Sequence, residues 1–147
     1  MERIEARMII EIMGRPVEHV VDALNQLIDK LGKEQGVTLR ERKVREPVAV
    51  KEAKDLFTTF AEIDVEFDSV ITCFRIVFTY LPAHIEISAP EHLKLKNDDI
   101  STIANAIAAR MHDYDAIAKR LVSEREILVN RLKESQKNVD KPAKKES

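Results

Sequence analysis

The sequence predicts an α+β fold, a ferredoxin-like βαββαβ sandwich followed by a long C-terminal helix or helical hairpin. Three observations carry that expectation. Residues 57–67 alternate apolar and polar with a period of two. Residues 17–31 and 70–81 repeat at helical spacing between shorter strand-like runs, and residues 97–135 contain neither glycine nor proline. With right-handed crossovers this order closes as one sheet, with strands one and three central and the polar strands two and four at its edges. The expected organisation is a sandwich over residues 1–96, a helical segment over 97–135 and a disordered tail over 136–147.

Ile4, Ala6, Met8, Ile10 and Ile12 share one face of the first strand, which Gly14-Arg15-Pro16 stops. From Pro16, in the favoured first-turn position, Val17, Val20, Val21, Leu24, Leu27, Ile28 and Leu31 form an amphipathic helix with Gly32 near its end. Val37–Glu46 has few apolar members and ends at Pro47, as an exposed edge strand does. Val48–Leu56 suits a strand or a helical turn equally and stays an unassigned connector. The third strand buries Phe57, Thr59, Ala61, Ile63, Val65 and Phe67 and shows Glu62, Asp64 and Glu66 to the other face. Asp68 or Ser69 caps a second helix whose stripe reads Val70, Ile71, Phe74, Val77, Phe78 and Leu81, ended by Pro82. Ile85 and Ile87 mark a short fourth strand.

Asn97 or Asp98 opens the last helical segment. If continuous to about Ser135 it is ~57 Å long, against a preceding core about 30 Å across. It must project, pair or break, and Asp113 or Asp115, as a cap for a following helix, is the place for a break. Ile100, Ile107, Tyr114, Leu121 and Leu128 recur every seven residues, with Ile103 and Ile117 in the complementary seam position. Arg110, Glu124 and Arg131 interrupt that second position. Ala104, Ala108 and Ala118 beside the seam permit close approach of a second helix, or of the open sheet face carrying Ile9, Met13 and Phe60.

The 147 residues hold 24 basic and 26 acidic side chains, a net charge of −2 that draws no phosphate from a distance. No run approaches the ~18 apolar residues of a membrane span, and no leader is visible. One cysteine, Cys73, forms neither an internal disulfide nor a metal knuckle, and the expected compartment is cytoplasmic. Neither a Gly-rich phosphate loop nor a nucleophile elbow occurs, and no spacing of zinc ligands does either.

His84, Glu86 and Ser88 share a strand face and His112, Asp113 and Asp115 lie close in sequence. Neither set supplies enough ligands to outweigh a solvated surface. Glu62, Asp64 and Glu66 read as a charge ladder opposed by Arg40 and Arg42 on one neighbour and Arg7 on the other. Cys73, inside an apolar helix, reads as core. Arg40, Arg42, Lys43 and Arg45 form the densest basic cluster, either a solvated edge or a phosphate-binding one. Of the stacking aromatics an RNA-reading sheet needs, the third strand offers Phe60 alone.

The stretches LFTTFAEIDVEFDS and YLPAHIEISAPEHLKL, with the Ala-rich NAIAARMHDYDAIAKRL, resemble a group of small uncharacterised archaeal proteins over most of residues 2–132. That resemblance implies no activity and transfers no functional residue. The expected function is therefore a non-enzymatic interaction or effector-binding protein. It self-associates through Ile100, Ile103, Ile107, Tyr114, Ile117, Leu121 and Leu128, and it holds a further protein partner, with no cofactor, metal or membrane. The alternative is an RNA or ribonucleoprotein accessory protein binding through Arg40, Arg42, Lys43 and Arg45.

Overall fold

In a computed structural model, which describes residues 3–142, the chain forms β1 (Ile4–Gly14), α1 (Val17–Gly32), β2 (Val37–Val44), β3 (Val48–Ala49), β4 (Phe57–Phe67), α2 (Val70–Tyr80), β5 (His84–Ala89) and α3 (Asn97–Val139). Two compact units divide it, residues 1–103 and residues 104–147, so the boundary falls inside α3.

The first unit is the expected ferredoxin-like sandwich. Its antiparallel strands run β2-β4-β1-β5, with the two-residue β3, inside the connector Val48–Leu56, pairing β4 beside this path. The two strands with the strictest alternation, β1 and β4, are central, and the polar β2 and β5 form the edges. Ile4, Ala6, Met8 and Ile10 of β1 and Ala61, Ile63, Val65 and Phe67 of β4 are buried against α1 and α2. Helix α1 adds Val20, Leu24, Ile28 and Leu31 to this core. Each fully buried Leu, Ile or Phe contributes about 1.5–3 kcal/mol through the water it no longer orders. After α1 the chain turns at Gly36, whose φ of 81° is open to glycine and strained for other residues. A Cβ there would stand 2.6 Å from an Asp68 carboxylate oxygen.

Helix α2 starts where expected, because Ser69 accepts the Thr72 amide at 3.1 Å and stays extended. It ends at Leu81, which adopts the left-handed conformation just before Pro82. Its buried stripe differs from the predicted one. Cys73, Ile76 and Tyr80 point into the core, Val70 packs partly against it, and Leu81 is exposed. The run VITCFRIVF is apolar almost all round, so periodicity singles out no face. The outward side is set by Arg75 and Thr79, the first bound to Glu34 and to the Gln35 carbonyl. Phe74 and Phe78 then lie against each other, ring centroids 6.2 Å apart.

Strand β2 carries a bulge between Leu39 and Glu41. Leu39 faces Val65 and Arg42 faces Ile63, both on the helix side of the sheet, while Glu41 faces Asp64 on the other side. The extra residue, Arg40, puts Glu41 and the residues after it on opposite faces from those that simple alternation assigns. Arg42 therefore does not oppose the β4 acids, as the sequence had suggested, but reaches over α1.

Helix α3 is continuous. Asp113 and Asp115 do not break it, since without glycine or proline nearby the backbone ladder persists and Asp115 pairs with Lys119 one turn on at 2.7 Å. Its start at Asn97 is as expected, with Asp98 and Asp99 at the positive end of the helix dipole and the Asp99 carboxylate accepting the Lys96 amide. It runs beyond Ser135 to Val139, so its 43 residues span roughly 64 Å. Residues 143–147 of the predicted tail lie outside the described residues.

Candidate functional site

The sheet face of the first unit opposite α1 and α2 is a mesh of ion pairs. Across the strands the register aligns Glu86, Arg7, Asp64 and Glu41 in one row. Arg7 donates to both Asp64 oxygens, at 2.8 and 3.0 Å, and this bidentate pair lowers the Asp64 pKa and raises that of Arg7. Glu66 accepts from Arg40 at 2.6 Å and from Arg3 at 3.1 Å, which lowers its pKa in the same way. Arg45 reaches Glu62 at 3.4 Å. An open cleft of about 450 Å³ lies among Glu5, Arg7, Arg40, Asp64, Glu66 and Glu86. Its two bases, Arg7 and Arg40, are taken up by Asp64 and Glu66.

The four basic residues of the edge are divided. Arg40 and Arg45 are held by the β4 acids, Arg42 binds Asn25 and Asp29 of α1 on the opposite side, and Lys43, opposite Glu62 in register, makes no ion pair among the described residues. The strand presents no continuous row of unengaged cations for a phosphate backbone. His84 and Glu86 are exposed on β5, and among the described residues no three His, Cys, Asp or Glu side chains converge to hold a metal ion. Cys73 is core, its thiol pushed up to about 11 by burial and far from the thiolate a nucleophile needs.

A polar contact that the sequence reading missed ties the end of α2 to the turn after α1. The Tyr80 hydroxyl donates to Glu34 at 2.8 Å, and Arg75 donates to the other Glu34 oxygen at 3.0 Å. These two donors, Tyr80 foremost, lower the Glu34 pKa, while burial and then the Glu34 bond push Tyr80 up to about 12. A carboxylate with a depressed folded pKa stabilises above its unfolded value, and that stability is lost as pH falls through the folded one. A phenol with a raised pKa stabilises below its unfolded value and loses that as pH rises toward 12. Glu34→Gln is expected to lower the thermal midpoint at pH 7 and to differ less from wild type as pH falls to 3, because the charged Glu34 loses its advantage as it takes up a proton. Melts at the two values check this, and an equal deficit at both would rule out the charged Glu34 as its source.

In the second unit every residue of α3 from Met111 onward is exposed. Ile107, Tyr114, Ile117, Leu121 and Leu128 of the predicted seam are each more than two fifths exposed. Of the remaining seam members, which lie in the first unit, Ile100 is exposed and Ile103 half-buried. At ~100° per residue, Met111 and Leu132 fall on the same side as Tyr114 and Leu121, so the second seam position is better filled by Met111, Ala118 and Leu132 than by the series of Ile117. The signal was a spacing of four after Ile107, Tyr114 and Leu128. Val122 and Val129 widen the stripe, whereas Ile127 lies off it.

Among the described residues no helix is long and apolar enough to cross a membrane. No curated protein and no solved structure matches the chain. A family model does match, over residues 5–141, which takes in nearly all of the sandwich and the whole of α3; the chain belongs to the MJ0538 family, named after an archaeal protein of uncharacterised function.

Proposed function

We propose that this protein is a cytoplasmic, non-enzymatic interaction module that forms a homodimer through α3 and uses its sandwich to hold a protein partner or a small effector. The observation that carries this is the apolar stripe of α3, exposed from Ile107 to Leu132. A single helix with a full-length apolar face is stable when that face is covered, because tertiary packing rather than intrinsic propensity supplies most helix stability. A contiguous exposed patch of this kind marks an interaction surface.

Light scattering over a hundredfold range of concentration tests the assembly. Twice the chain mass, falling toward one chain on dilution, supports it, and a monomer at every concentration removes it. RNA contact through β2 is the second reading, supported by its edge position and by Lys43. It requires the guanidiniums of Arg40 and Arg45 to leave Glu66 and Glu62. Retardation of RNA that weakens steeply as salt is raised would favour it, and none at low salt would end it.

A further inference from the structure

We infer that two α3 helices pair antiparallel, with Arg125 of each packed against Tyr114 of its partner. The inference rests on the self-association just proposed and adds its orientation. Charge is distributed unevenly along the helix. Asn97–Ala118 carries Asp98, Asp99, Asp113 and Asp115 against Arg110, a balance of −3. Lys119–Val139 carries the bases Lys119, Arg120, Arg125, Arg131, Lys133 and Lys137 against Glu124, Glu126 and Glu134, a balance of +3. Parallel pairing sets each half on its like. Antiparallel pairing sets the acidic half of one helix on the basic half of the other, and such complementarity decides orientation more than raw affinity.

The seam points the same way. Its two positions are Ile107, Tyr114, Leu121 and Leu128 in one series and Met111, Ala118, Arg125 and Leu132 in the other. Antiparallel helices pack one series against the other. When the helices overlap along their full length, Ile107 meets Leu132, Met111 meets Leu128, Ala118 meets Leu121 and Arg125 meets Tyr114. The guanidinium then lies against a phenol ring that attracts cations, with the hydroxyl as a further acceptor. In a parallel pair Arg125 meets its own twin, two like charges in an apolar seam. Parallel pairing gains a flanking contact of Arg110 with the exposed Asp115, a rim ion pair that contributes little.

A spin label on Lys137→Cys, on the outward side of the helix, separates the two orientations. In the antiparallel dimer Lys137 lies level with Thr102 of the partner, 35 residues away along the helix, so the two labels stand ~50 Å apart at ~1.5 Å per residue. In a parallel dimer they stand about 20 to 25 Å apart, roughly two helix diameters. Ser123→Cys lies near the antiparallel two-fold axis and gives a short distance in either orientation, so it reports the dimer itself. The unsubstituted chain, whose thiol Cys73 is buried, is the labelling blank. A long distance at Lys137 with a short one at Ser123 is the expected result. Short distances at both overturn the orientation and leave the dimer standing, and no measurable distance at Ser123 overturns both.

Discussion

Ile63→Asp is expected to leave the chain without a cooperative thermal transition. Ile63 is fully buried at the centre of β4, opposite Met8 of β1 and Arg42 of β2, with its side chain under the two sandwich helices. A carboxylate there has no water, and Arg42, opposite it at the edge, is already engaged with Asn25 and Asp29. An uncompensated buried charge costs on the order of 4 to 5 kcal/mol or more, comparable to the whole stability of a small domain at roughly 5–15 kcal/mol. Ile63→Val, which removes one methylene, should cost only about 1 kcal/mol and keep a sharp melt. Circular dichroism on the two variants checks the contrast. A cooperative melt of Ile63→Asp near wild type would mean that β4 faces the other way.

The strand order was legible because β1 and β4 alternate strictly and bury one face each, and sequence pattern reports burial well when it falls on one side. It failed where burial had no contrast. In α2 apolar residues occur at nearly every turn, so the packed face follows from where Arg75 and Tyr80 find Glu34, a tertiary contact across more than forty residues of chain. The bulge at Arg40 was invisible for another reason. No glycine marks it, and a period-two reading carried straight through a one-residue insertion puts every later side chain on the wrong face. That single slip sends Arg42 to the face opposite Arg40, Lys43 and Arg45. In α3 the capping preference of Asp113 and Asp115 pointed to a break, but a cap is worth about 1 kcal/mol and interrupting a helix forfeits several backbone hydrogen bonds.

Replacing Leu121 and Leu128 together by Glu is expected to dissociate the proposed dimer and leave the sandwich folded. The two leucines are 55% and 58% exposed in a single chain, so pairing removes more than half of each side chain's surface from water. At about 1 kcal/mol for each half-buried leucine, four of them across a two-fold interface supply about 4 kcal/mol. A factor of ten in affinity corresponds to ~1.4 kcal/mol, so the dissociation constant should rise roughly a thousandfold or more, with repulsion among the new carboxylates adding to it. Glu has nearly the helix propensity of Leu, so local backbone preference does not oppose α3 in the variant. Ile127→Glu is the matched control, because Ile127 is 51% exposed but lies off the stripe. Sedimentation velocity should show the double variant as a monomer at concentrations where wild type and Ile127→Glu are dimers. Dissociation by Ile127→Glu as well, or a double variant that stays dimeric, would place the contact on another face of the helix.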